Sequence, residues 1–121
     1  MQSVILLMQE QMEAQSLMAE LRYFSNIRAA SVVDYEKFSN TYRYTNADIV
    51  MMEISEDNEY GIGFCLQLAS QMRARKPECK VVLLCSGFNE EAEKAKSEGL
   101  VKEIVYREIE LKDLAAAIIQ S

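Results

Sequence analysis

The sequence predicts an α/β fold in which a parallel sheet is covered by helices on both faces. Three observations carry that expectation. Apolar runs of strand length recur along the chain, segments with one-faced helical spacing lie between them, and the runs are apolar on both faces. Parallel strands need crossover connections, and right-handed crossovers lay helices over the sheet. The reading gives five strands and five helices in a single domain over residues 1–121.

The first strand is expected over Val4 to Met8, followed by a helix in which Leu17, Met18 and Leu21 share one side. A second run, about Ile27 to Val33, leads to a helix with Tyr35, Phe38 and Tyr42 on one face. The third strand, Ile49 to Ile54, precedes a helix carrying Phe64, Cys65, Leu68 and Met72. Pro77, the sole proline, cannot continue that helix and is expected to fix an extended lead into the fourth strand, Val81 to Cys85. The segment Asn89 to Glu98 is charged, with Ala92 and Ala95 on one side and Gly99 as a C-terminal cap. A short strand, Ile104 to Tyr106, and a helix with Leu111, Leu114 and Ile118 complete the pattern.

Composition narrows the function. The 121 residues include 13 Lys plus Arg against 19 Asp plus Glu, no His, no Trp and three Cys, and half are hydrophobic. That describes one compact, mildly acidic domain with no room for a second. A formal charge of −6, with basic residues scattered from Arg22 to Lys112, argues against a nucleic-acid partner. Without histidine the commonest general base and zinc ligand are missing. Cys65, Cys79 and Cys85 are odd in number and lack CxxC spacing, which fits packing residues in a reducing cytoplasm. The run Val4 to Met8 is too short for a signal core or a membrane span, so a cytoplasmic location and no membrane partner are expected. The four glycines form no GxGxxG or P-loop pattern.

In open α/β sheets ligands collect beyond the carboxyl ends of the strands. Those positions are Gln9, Glu10 and Gln11 after the first strand and Glu53, Ser55, Glu56 and Asp57 after the third. Cys85, Ser86 and Gly87 end the fourth, and Tyr106, Arg107 and Glu108 the fifth.

On these residues the chain resembles, over essentially its whole length, the receiver domain of bacterial two-component response regulators. Asp48-Ile-Val-Met-Met-Glu53-Ile is similar to the family's third strand, and Gly61 lies eight residues beyond Glu53 where receivers keep a glycine. Pro77 to Ser86 looks like the connection into strand four, and Lys102-Glu-Ile-Val-Tyr-Arg107 is similar to the fifth strand, which in the family ends in lysine. The resemblance implies a flavodoxin-like (βα)5 doubly wound sheet of order 2-1-3-4-5 and a signalling role. It also implies a pocket whose chemistry is altered here. The two acidic metal ligands of the family are replaced by Met8 and Gln9, with Glu10 nearby, and the phosphate-accepting aspartate becomes Glu53. The strand-four Thr or Ser becomes Cys85, with Ser86 adjacent. The lysine becomes Arg107, followed by Glu108 where the family has proline, and the aromatic switch position becomes Ile104.

The expectation is therefore a degenerate, pseudo-receiver type of domain: not an enzyme, poorly or not phosphorylated, and acting through protein–protein interaction. Glutamate carries its oxygens about 1.5 Å further out than aspartate, and a misplacement of about 1 Å can cost roughly 10²-fold in rate. No cofactor is expected. Mg²⁺, which wants carboxylate oxygens, is expected to bind weakly at best, with Glu10, Glu53 and Ser55 as the weak candidate ligands. The alternative is an active phosphoacceptor in a phosphorelay, with Glu10 and Glu53 holding a divalent metal and Ser86 or Arg107 contacting phosphate. A third reading is an unrelated flavodoxin-like domain binding a small ligand, which a large closed pocket lined by aromatics would favour.

Glu53 and Arg107 can be read as a stand-in for the phosphorylated state or as a relic salt bridge at a half-exposed strand end. Cys85 and Ser86 lack a histidine to activate either, which favours packing. Glu56, Asp57 and Glu59 read as a solvated acidic loop, Tyr35, Phe38, Tyr42 and Tyr44 as core and rim, and Met8, Met51 and Met52 as buried strand residues. By resemblance, the partner is a protein docking on the face of helix 4, strand 5 and helix 5. Ile118, Ile119 and Ala115 to Ala117 offer a possible homodimer face on the last helix.

Overall fold

The computed structural model describes residues 2–24, 26–41, 46–55 and 60–120, the side chains of 39–41 excepted. Strands β1 (Gln2–Leu7), β2 (Ile27–Val32), β3 (Ile49–Glu53), β4 (Lys80–Cys85) and β5 (Glu103–Tyr106) alternate with five helices. The helices are α1 (Gln11–Leu21), α2 (Tyr35–Thr41), α3 (Ile62–Arg75), α4 (Glu90–Ser97) and α5 (Leu111–Gln120). Every strand pair is parallel and the order is β2-β1-β3-β4-β5. This is the doubly wound, flavodoxin-like architecture that the alternation and the resemblance predict.

Successive strand residues point to opposite faces, so the both-sided apolar runs supply two separate cores. On one face Leu7, Val50, Met52, Val81 and Leu83 pack with Phe38, Cys65, Leu68, Met72 and Ala92. On the other, Val4, Leu6, Met51, Val82 and Leu84 meet Ala14, Leu17 and Leu21 of α1 and Leu114 and Ile118 of α5. Met8, Met51 and Met52 are fully buried. β2 departs from the both-sided expectation: Ile27 and Ala29 are half-buried, whereas Arg28 and Ala30 are exposed. It lies at the sheet edge, with β1 as its single neighbour in the plane.

Local chemistry sets several boundaries. The Asn89 side chain accepts the Ala92 N–H at 3.0 Å, capping α4, and Glu90, Glu91 and Glu93 follow in the first turn, where the helix dipole favours acid. Gly99 sits at φ +85°, a left-handed conformation that glycine adopts without a Cβ clash. Lys76 is extended, as a residue before proline should be, but the Cys79 N–H donates to the Lys76 carbonyl at 2.9 Å. Pro77 thus opens a turn over 76–79 rather than an extended lead, because a proline ring suits the second position of a turn. At the same end of the sheet Lys76 Nζ reaches Asp48 at 2.7 Å and the Ser3 N–H donates to that carboxylate at 2.8 Å. The Lys76 bond, more than the Ser3 bond, holds the Asp48 carboxyl below its ordinary range.

Two of the residues proposed for a dimer face on the last helix are spent on the chain's own core. Ile118 and Ala115 are buried, leaving Ala116, Ala117 and Ile119 half-buried. An alanine run next to Leu114 reads as a surface stripe in one dimension, and only the docking of α5 decides which alanines face inward.

Candidate functional site

The parallel topology brings the carboxyl ends of all five strands, and the starts of the helices, to one end of the molecule. Glu53 is the last residue of β3 and is 2% exposed. A carboxylate so placed needs partners, since removing it from water uncompensated is costly. One oxygen accepts the Gln9 backbone N–H at 2.7 Å, and the other pairs with Arg107 Nη2. Arg107 Nη1 reaches Glu13 Oε1 at 3.1 Å, so the guanidinium bridges two carboxylates. The Tyr35 hydroxyl donates to the Glu53 backbone carbonyl at 2.5 Å.

Arg107 is positioned from both sides of its own backbone. Its N–H donates to the Cys85 carbonyl at 2.8 Å, extending the β4–β5 pairing by one residue. The next residue, Glu108, has φ +80°, an uncommon conformation for a residue with a Cβ, and the chain turns there toward α5. The pair differs from a half-exposed surface bridge: the carboxylate is buried, while the Arg107 side chain remains 38% exposed.

The other sequence-derived positions are distributed around this pair. Met8 is buried and contributes no oxygen. Gln9 is exposed and acts through its backbone N–H rather than its amide. Glu10 is exposed at the N-cap of α1 and makes no side-chain capping bond. Cys85 is buried, whereas Ser86 is exposed. Both line an open cleft of about 390 Å³ with Ser55, Gly61 and Asn89. Burial first, then the Glu93 carboxylate, pushes the Cys85 thiol up to about 11, the opposite of what a nucleophile needs. Ser55 is buried, and its N–H donates to the Tyr60 carbonyl at 3.3 Å. Glu56, Asp57, Glu59, Tyr42 and Tyr44 lie outside the described residues.

Three residues take roles that the sequence reading did not give them. Glu13, the second carboxylate on Arg107, sits in the first turn of α1, three residues past Glu10, so only the helix places it over the pocket. Tyr35 read as a core ring. The ring does pack with Tyr60 (centroids 5.3 Å apart), which in turn meets Phe64 edge-on at 5.1 Å, but its hydroxyl supports Glu53. Tyr106, adjacent to Arg107, donates its hydroxyl to Glu93 of α4 at 2.7 Å. That bond, with burial and the Glu93 charge, pushes the phenol up to about 12. Ile104 is buried and aliphatic.

Among the described residues the donors around Glu53 are a poor match for a magnesium ion. The two positions that would supply acids carry a thioether and an amide, and a guanidinium already occupies one face of the Glu53 carboxylate. Among the described residues no group of three His, Cys, Asp or Glu side chains could hold a metal. A hard cation seeking six oxygens would have to displace Arg107. A second open cleft, about 370 Å³ and lined by Gln9, Val33, Asp34, Tyr35, Ser55 and Tyr60, lies on the β2 side. Neither cleft is the enclosed aromatic pocket that would favour the small-ligand reading. Among the described residues no helix is long and apolar enough to cross a membrane.

No protein-family model matches the chain, and no curated protein matches it by sequence. Solved structures do match. A CheY-like response regulator receiver domain protein from Methanospirillum hungatei superposes with TM-score 0.80 at 9% identity, over 99% of this chain and 92% of that one. An orphan response regulator of H. pylori gives 0.79 at 16%, over 98% and 94%. Response regulator TrrA from Thermotoga maritima, solved in complex with Mg(2+)-BeF, gives 0.73 at 18%, over 99% and 98%.

The chain has the receiver fold. At such identities the likeness concerns architecture, and the receiver fold here frames a buried carboxylate closed by arginine.

Proposed function

We propose that this chain is a receiver-type signalling module of the pseudo-receiver kind, which acts by binding a protein and does not depend on phosphoryl input. The observation that carries this reading is the engagement of Glu53, whose two oxygens are held by the Gln9 N–H and the Arg107 guanidinium. Phosphoryl transfer to a carboxylate needs a free in-line oxygen and a cation to neutralise the phosphoryl group. Here the oxygens are committed and the cation beside them is a tethered side chain. Arg107 is well suited to that place, because its planar fork is always charged and can serve Glu53 and Glu13 together.

The face formed by α4, β5 and α5 is the proposed protein-binding surface. Two of its parts, α4 and β5, are tied to each other, and β5 leads into the pocket. Lys96 bridges Glu103 at 2.9 Å, Tyr106 bonds Glu93 at 2.7 Å, and Arg107 follows directly in the chain. A surface held in one arrangement loses less conformational freedom when a partner docks. Input would then come from the partner rather than from a phosphodonor.

The test is incubation with Mg²⁺ and acetyl phosphate, followed by intact mass. The unmodified mass is the expected result. A stoichiometric gain of one phosphoryl group that disappears in Glu53→Gln would overturn the reading in favour of an active phosphoacceptor.

A further inference from the structure

The two edges of the sheet are not alike. Within a strand the N–H and C=O of one residue point to the same side and alternate residues point to opposite sides. The Gln2 N–H donates to the Asn26 carbonyl and the Met8 N–H to the Val32 carbonyl, so the even-numbered residues of β2 face β1. The N–H and C=O groups of Ile27, Ala29 and Ser31 therefore point out of the sheet, and no described residue bonds them. Unpaired groups in a row are a template for another strand. Natural edges are usually blocked by charge, proline or a covering segment. At β5 the Glu103 carboxylate accepts the Ile104 N–H at 3.0 Å, putting a charge on that edge. β2, with the sequence Ile-Arg-Ala-Ala-Ser-Val, has one charged residue and no proline.

We propose that the β2 edge pairs with β2 of a second copy of this chain, antiparallel about a twofold axis, to give a continuous ten-stranded sheet. The occupant is chosen by self-complementarity. With the axis at Ala30, Ala29 lies opposite the partner's Ser31 and both exchange backbone hydrogen bonds, while Ala30 lies opposite the partner's Ala30. Small residues at the centre let the backbones approach. At the ends Ile27 lies opposite the partner's Val33, a residue 41% exposed in the single chain. On the other face Arg28 lies opposite the partner's Val32, and the next carboxylate along is the partner's Asp34, two residues past the strand end, one of whose oxygens accepts the Lys37 N–H at 3.0 Å. The twofold repeats this arrangement and places no like charges across from each other. An unrelated extended peptide would gain the backbone bonds but not the reciprocal apolar matches.

The test is sedimentation equilibrium from micromolar to millimolar chain, together with amide exchange by NMR. A concentration-dependent dimer is expected. The amides of Ile27, Ala29 and Ser31 should exchange freely when dilute and gain protection when concentrated, whereas those of Arg28, Ala30 and Val32 should be protected throughout. Ala29→Pro removes one outward N–H without touching the β1 ladder and should abolish the dimer. Ala30→Lys sets two like charges face to face and should weaken it by about tenfold or more. A chain that stays monomeric at millimolar concentration, or a dimer that both variants leave unchanged, would overturn the proposal. The wild-type exchange pattern decides the matter even if a variant fails to fold.

Discussion

Replacing Arg107 with methionine keeps most of the side chain's length and removes the guanidinium. Glu53, 2% exposed, would then rely on the Gln9 N–H at 2.7 Å. Breaking a fully buried pair costs about 3 to 5 kcal/mol. Because the Arg107 side chain is 38% exposed, water can enter where it was, and a loss of about 2 to 3 kcal/mol at neutral pH is the better figure. For a domain of this size that is a fall in Tm on the order of 10 °C. Glu53→Gln retains an acceptor for Gln9 and removes the buried charge, so it should cost less than about 1 kcal/mol, and adding Arg107→Met to it should cost little more.

The pH dependence of the Arg107→Met deficit has a definite sign. A desolvated carboxylate without its cation has a folded-state pKa above the unfolded value of about 4.3. The folded state then binds more protons than the unfolded state between those two pKa values, so the deficit narrows as the pH falls from neutral. Urea unfolding of the four chains in the double-mutant cycle measures all of this. An Arg107→Met loss below about 0.5 kcal/mol, an equal loss in the Glu53→Gln background, or a deficit indifferent to pH would refute the claim that Arg107 compensates a buried charge.

Asn89→Ala should lower stability by about 1 kcal/mol through loss of the cap on Ala92, with faster amide exchange confined to the first turn of α4. The thiols of Cys65 and Cys85 are pushed up to about 12 and about 11, chiefly by burial, so the folded protein should resist a thiol reagent at pH 8 and react fully once denatured. Rapid labelling of either residue in the native chain would mean that this core opens far more readily than its burial indicates.

The sequence by itself determined the number, order and type of the elements, because that information is local. Short runs apolar on both faces differ in length and pattern from the one-faced spacing of Leu17 and Leu21 or of Cys65, Leu68 and Met72, and the Gly99 cap is written within a few residues. It also carried the substitutions at Met8, Gln9, Glu53 and Arg107, since these stand at strand ends that the alternation locates. On α5 periodicity marks an apolar side but not which neighbour covers it, and only the structure turns Ala115 and Ile118 inward.

Only the tertiary structure decided what closes around Glu53. Glu13, Tyr35 and Arg107 are separated from it by 40, 18 and 54 residues, and the parallel topology alone brings helix starts and strand ends to one pole. Whether a carboxylate there is solvated or buried depends on long-range packing, and that burial makes arginine a structural counter-ion rather than a surface ornament. The asymmetry of the edges is likewise a tertiary fact. Nothing local in Ile27 to Val32 says that this strand comes to lie outermost with one side of its backbone unpaired.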